Sequence, residues 1–251
     1  MVPPARDRTM TTAAPAPSAF ALLRSHSLTS LVHQELERRI LAGDILPGDK
    51  LVEQDVARDL SVSRGPVREA FRALEQAGLV VTEKNRGVFV REVSLREADE
   101  IYEVRAGLDE LIGRLAAERA TDAELRELKA LVQEMRAAGR ARDLAAYYPL
   151  NIRFHDRLAQ MAGNGTLLAA YRRLINELHL FRRQTLERGA DAFVTSTKQH
   201  AEILEAVAAR DGTRAGELLY QHAVKSRSRL HDALERDGTQ PPPVLVRENA
   251  P

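Results

Sequence analysis

Along residues 53–72, EQDVARDLSVSRGPVREAFR, apolar side chains recur at Val56, Leu60, Val62, Val67 and Ala70, with the small Ala57 where two helices must approach closely. That spacing predicts two short helices crossing in a helix-turn-helix. Ser63 stands at the N-cap of the second helix, and Pro66 falls in its first turn, where a missing amide costs little. This helix is expected to run from Arg64 to about Ala77 and to stop at Gly78. Arg64, Arg68 and Arg72 recur on it one turn apart, on the side away from Val67, Ala70, Phe71 and Leu74. Ser61 occupies the turn, where glycine is often preferred for a left-handed backbone. In the next segment, VVTEKNRGVFVREV, hydrophobic and β-branched residues flank Asn85-Arg86-Gly87 and predict a hairpin.

From there on the period is helical. Ser94 with Glu97 and Thr121 with Glu124 each have capping-box spacing and mark two helix starts. Further helices are expected over 143–163, 166–188, 193–210 and 212–236, separated by AGNG, RGAD and RDGT, so that about six antiparallel helices form a bundle. No fixed-period repeat is present. The ends are different: the first is rich in Ala, Pro and Thr, and the last carries three consecutive prolines without an apolar period. The expected fold is therefore mostly α, with a disordered tail at 1–25, a winged helix-turn-helix domain at 26–93, a helical domain at 94–236 and a second disordered tail at 237–251.

Composition narrows the class. A chain of 251 residues with 44% hydrophobic content has room for two globular domains. No apolar run approaches a membrane span, and residues 1–20 lack the continuous apolar stretch of a signal peptide, so a cytoplasmic protein with no membrane partner is expected. The absence of cysteine removes disulfides and thiolate metal sites, leaving histidine and oxygen ligands. A net charge of +1 decides nothing about nucleic acid, for which a local basic patch is what matters.

Taken alone, the arginine stripe reads as a solvated helix face. Its setting changes that reading: a cap, a small-residue crossing, a helix of suitable length and a hairpin with a basic, glycine-containing tip form a winged helix-turn-helix, whose arginines would face a major groove. Residues 28–90 resemble the GntR family of bacterial transcription regulators, through ILAGDILPGDKL, VSRGPVREA and RGVFV. The resemblance implies a homodimer on a pseudo-palindromic double-stranded DNA operator, with Ser63, Arg64, Gly65 and Arg68 and the wing residues Arg86 and Gly87 near DNA. Gln54 matches a position of variable residue type that often contacts DNA.

In the helical half, His155, His200 and His222 lie on three different expected helices, each on the apolar side, so they converge on the bundle interior. One such histidine is usually a hydrogen-bonded core residue. Three, with Asn151 one turn before His155, point to a first-row divalent metal with open coordination positions. His26, His33, His179 and His231 show no such convergence. Residues 94–236 resemble the FCD effector domain of FadR-type GntR regulators, through EADEIYEVRAGLDELIGRLAAERATDAELREL, NIRFHDRLAQMAGNGTLL and HAEILEAVAARDGTRAGELLYQH. This resemblance implies metal ligands at Asn151, His155, His200 and His222, for zinc first, with nickel or manganese as alternatives. Asn151 departs from the family's aspartate: its carbonyl can coordinate but brings no charge, which lowers affinity and leaves the site more cationic. A small organic acid would fill the open positions and meet Arg105, whose alternative is a surface pairing with Glu103 or Asp109. An enzyme using metal-bound water is disfavoured because no carboxylate is placed beside the histidines as a base. A ligand-independent architectural DNA-binding protein is disfavoured by the buried polar constellation. The sequence thus reads as a ligand-responsive transcription regulator.

Overall fold

The computed structural model describes residues 27–185 and 192–237. The expected tails lie outside the described residues, except that Asp237 ends the last helix.

The N-terminal unit begins with α1 (Leu28–Ala42), capped by the Ser27 side chain, which accepts from the Ser30 amide, and ended by Gly43 in the left-handed region at φ 77°. After β1 (Lys50–Leu51) come α2 (Glu53–Asp59) and α3 (Arg64–Gln76), the two helices of the expected motif. Ser61 between them has φ 54°, so the left-handed turn is made with serine in place of glycine. Ala57, Val67, Ala70, Phe71 and Leu74 are all buried, as their spacing predicts. Just past the end of α3, Gly78 takes φ 76°, which favours glycine, and an added Cβ there would lie 2.7 Å from Glu177 Oε1.

Strands β2 (Val80–Glu83) and β3 (Gly87–Val90) form the hairpin, and β1 adds on the other side in the order β1-β3-β2, all antiparallel. The tip needs left-handed backbone at Asn85 (φ 62°) and Gly87 (φ 115°), residue types that tolerate it.

Six helices follow: α4 (Leu95–Arg119), α5 (Asp122–Ala141), α6 (Leu144–Met161), α7 (Gly165–Thr185), α8 (Ala192–Ala208) and α9 (Gly212–Asp237). Thr121 and Glu124 complete a reciprocal capping box. At α4 only half of the expected box forms: Ser94 Oγ accepts from the Glu97 amide, while the Glu97 carboxylate turns to Arg91. Helix α4 is central, packing on α6, α7, α8 and most extensively α9. Gly113 on α4 and Gly216 on α9 let those two backbones meet.

The apolar cluster of the N-terminal unit does not stop near residue 93. It continues into Ala98, Ile101 and Tyr102 of α4, Leu178, Leu180 and Phe181 of α7, and Leu230 and Leu234 of α9. A second cluster fills the bundle around Phe154, Leu158, Ile203 and Leu219. Helix α7 also bonds to the N-terminal unit: Asn176 Nδ2 donates to the Ala77 carbonyl at 3.1 Å, and the buried Glu177 accepts from Arg91 and, at 3.2 Å, from Arg173. No helix among the described residues is long and apolar enough to cross a membrane.

Candidate functional site

Two places concentrate the chemistry. The first is the exposed face of α3 with the hairpin tip. Ser63 occupies the N-cap position of α3, but its side chain makes no capping bond and is exposed. Arg64 and Arg68 project from the next two turns, with side chains 62% and 54% exposed, and Gln54 is exposed in the first turn of α2. A Cβ on Gly65 would meet nothing within 4 Å, so nothing within the described residues requires glycine there. At the tip, Arg86 pairs with Glu83 and lies over the Phe89 ring at 5.5 Å, while Gly87 faces the Lys50 side chain. Arg72 pairs with Glu69 instead.

One residue of this face was missed by sequence reasoning. Glu53, in the first turn of α2, accepts from Arg68 Nε at 2.9 Å and Arg68 Nη2 at 3.0 Å, and from Arg64 Nη2 at 3.1 Å. Hydrogen bonding from Arg68 first, and then from Arg64, holds its carboxyl down at about 2 against the opposing effect of burial.

The second place is inside the bundle. His155 comes from α6, His200 from α8 and His222 from α9, and all three are buried. Their potential ligand atoms lie within 4.8 Å of one another, and the ring centroids are 4.6–5.1 Å apart. Their convergence follows from the bundle: a histidine on the apolar face of each helix must point at the common core. Asn151 is half-buried on α6, one turn before His155.

Three observations bear on whether these residues fit a metal ion. His155 Nε2 and His200 Nε2 are 3.2 Å apart, and two imidazole nitrogens bound to one ion at about 2.0–2.1 Å are separated by about 3.0–3.4 Å. His200 Nδ1 is buried with no hydrogen-bond partner among the described residues, so the ring's contact within the cluster is through Nε2. Gln199 Oε1, which can only accept, lies 2.9 Å from His222 Nδ1, which therefore carries the proton and leaves the Nε2 lone pair available. The donor set fits a divalent ion that accepts nitrogen ligands.

The surroundings are cationic. Burial first, then the Arg229 and Arg105 charges, pushes His200 down to about 3. Burial, the other two histidines and the same two arginines push His222 well below its ordinary value. Neutral imidazole is the form that ligates. Arg105 is only 3% exposed and donates to Asp109 Oδ2 at 3.1 Å. Arg105 pairs with Asp109, in the interior and not on the surface, and its charge reaches His200 and His222. Burial opposes its charge, but Tyr171, Asp109 and Tyr102 outweigh it and hold the guanidinium protonated. Burial pushes Asp109 up to about 6 against the pull of Arg105. Asp109 was legible as a partner of Arg105 but not its burial, and Tyr171, Gln199 and Arg229 were not legible, because a polar residue on a helix carries no periodic signal of what it faces. Of the remaining histidines, His33 approaches Glu37, His179 meets Tyr148 and His231 meets Asp99, all apart from the cluster; His26 lies outside the described residues.

Two family models match the chain: that for bacterial regulatory proteins of the gntR family over residues 28–90, and that for the FCD domain over residues 100–225. The chain is 28% identical over 204 residues to the HTH-type transcriptional regulator YdhC of Bacillus subtilis, a match covering 81% of this chain and 91% of that one. It is 27% identical over 221 residues to the galactonate operon transcriptional repressor of Escherichia coli, covering 78% and 94%. Among solved structures, a GntR regulator from Rhodococcus sp. RHA1 superposes with a TM-score of 0.67 at 29% identity, covering 83% of this chain and 99% of that one.

Proposed function

The chain belongs to the GntR family of bacterial regulators and carries an FCD domain, and from that premise we propose how its two halves work together. It is a DNA-binding transcriptional regulator and not an enzyme. In the proposal the N-terminal unit, residues 26–93, reads a pseudo-palindromic operator as a homodimer in the cytoplasm. The N-terminal turns of α3 lie in the major groove, and the Arg86-Gly87 tip reaches the adjacent groove. Support comes from the exposure of Arg64 and Arg68 and from Gly65, whose open surroundings permit close approach of a phosphate backbone.

The helical half, residues 94–236, binds a divalent metal through His155, His200 and His222, with the Asn151 carbonyl as a neutral fourth ligand. The observation that carries this reading is the meeting of three buried imidazoles from three helices beside Arg105. A metal held there supplies positive charge and open positions for a carboxylate, and Arg105 supplies a second cation toward it. The effector is therefore a small organic acid, and zinc or nickel suits the nitrogen-rich donors. The route to the reading unit is α7, which carries Tyr171 beside Arg105 and Asp109 and, about one and a half turns on, Asn176 and Glu177 against Ala77 and Arg91.

The test pairs metal content by mass spectrometry with calorimetric titration of zinc, nickel and manganese, followed by thermal-shift screening of sugar acids, hydroxy acids and dicarboxylates. The expected result is close to one ion per chain and an acid that stabilises the metal-loaded protein. No uptake of any of the three ions, with an unaltered acid response in His200→Ala, returns the histidines to a hydrogen-bonded polar core.

A further inference from the structure

Glu53 is placed oddly for a surface whose partner is a polyanion. Its carboxylate sits between Arg64 and Arg68, the two exposed arginines at the start of α3, and bonds both. Phosphates would be attracted more strongly without it. The geometry of the Arg68 contact explains what such a carboxylate can do. Glu53 takes Nε and Nη2 side-on, one carboxylate oxygen to each, at 2.9 and 3.0 Å. A guanidinium has five N–H donors in a rigid plane. Two of them are engaged by Glu53, and the Nη1/Nη2 edge remains on a side chain that is 54% exposed. That edge is the fork that matches guanine O6 and N7.

We infer that Glu53 is a positioning residue for base readout: it fixes the Arg68 plane so that the remaining edge meets a guanine, and it lowers sequence-independent attraction to phosphate at the same time. Both effects raise discrimination. The fixed plane saves the ordering of a long side chain on the specific site, and the negative charge weakens binding everywhere else. The carboxyl stays ionised at every pH at which DNA is duplex, because the two arginines hold it at about 2. Glu69, the residue after Arg68 on α3, is paired with Arg72; its charge reaches Arg68 but does not engage the Nε/Nη2 edge that Glu53 holds, which makes it the charge control.

This inference rests on the reading of α3 as the recognition helix, and the experiment separates the two. A randomised duplex library is selected with the wild-type full-length chain. The enriched duplex and a scrambled version of it are then titrated with wild type, Glu53→Gln, Glu53→Asp and Glu69→Gln across a salt series. Glu53→Gln is expected to bind the scrambled duplex more tightly, with a salt slope steeper by about one phosphate equivalent, and to lose about tenfold in the ratio of specific to scrambled affinity. Glu53→Asp keeps the charge but shortens the reach, so the ratio falls while the slope stays. Glu69→Gln tightens both duplexes alike and preserves the ratio. A ratio unchanged in both Glu53 variants overturns the positioning role while leaving the recognition helix intact. Failure of the wild type to enrich any sequence overturns both.

Discussion

Replacing Gly113 by alanine tests whether the helical half is held together by the close approach of α4 and α9. On α4, a Cβ at Gly113 would lie 2.6 Å from the carbonyl carbon and oxygen of Ala215 and 2.7 Å from the Gly216 Cα, all backbone atoms of α9. The contact is reciprocal, since a Cβ on Gly216 would lie 2.8 Å from the Glu110 carbonyl oxygen. Carbon atoms settle at about 3.5–4.0 Å, so α4 and α9 would have to separate by about 1 Å along their most extensive contact. Overpacking of this kind costs about 1–3 kcal/mol, partly offset by the gain of about 1 kcal/mol for alanine over glycine in a helix. Gly107 supplies the comparison: it is on the same helix, exposed, and its Cβ would meet nothing within 4 Å. Gly107→Ala should therefore stabilise by up to about 1 kcal/mol, and urea unfolding should separate the two variants by about 1–3 kcal/mol. His222 lies less than two turns beyond Gly216 on α9, so folded Gly113→Ala should also bind metal more weakly, whereas Gly107→Ala should match the wild type. Equal stability of the two variants would refute the backbone contact and its link to the histidine cluster.

Other perturbations follow from the same contacts. Arg68→Ala should weaken operator binding by about 1–3 kcal/mol with the fold intact, and Arg72→Ala, already paired with Glu69, should have a smaller effect that is equal on all sequences; equal operator binding by wild type and Arg68→Ala would sink the recognition-helix assignment. His200→Ala should abolish stoichiometric metal uptake, while Asn151→Asp should tighten it by adding a negative charge to a site flanked by Arg105 and Arg229, both read by calorimetry; a weaker Asn151→Asp site would argue against coordination at that position. Glu177→Gln removes a buried partner of Arg91 and Arg173 and should cost about 1–3 kcal/mol in urea unfolding, with the response of DNA binding to acid effectors blunted; a fully retained response would remove α7 from the coupling route. In the free protein the Glu53 carboxyl should titrate at about 2 and move back toward its ordinary 4.5 in Arg68→Ala, the largest cause of its shift. Because the folded value is the depressed one, the stability gained from this pair is present above 4.5 and lost as pH falls toward 2. Carboxyl-selective NMR reads the titration, and an unmoved value in Arg68→Ala would contradict the bidentate contact.

What the sequence makes legible follows from what periodicity can encode. Val67, Ala70, Phe71 and Leu74 repeat with the helical period, so the buried side of α3 and hence its cationic side could be read directly. The three histidines could be read for the same reason: each sits on an apolar face, and in a bundle the apolar faces of different helices share one interior. Pairings across elements leave no such mark. Glu53 stands 11 and 15 residues before the arginines it holds, and only the turn at Ser61 brings it under them. The same holds for Arg105, whose four-residue spacing to Asp109 is compatible with a surface ion pair as well as with a buried one; burial decides, and burial depends on α7 and α9 closing over α4. The boundary near residue 93 is legible as a change of pattern, but the chain packs across it, because Leu178, Phe181, Leu230 and Leu234 join the apolar cluster of the reading unit. A pattern change locates where one kind of local structure gives way to another. Whether the two units then share a core is fixed by long-range packing, and here that packing puts the C-terminal end of α3 against the helix whose Tyr171 meets Arg105 and Asp109.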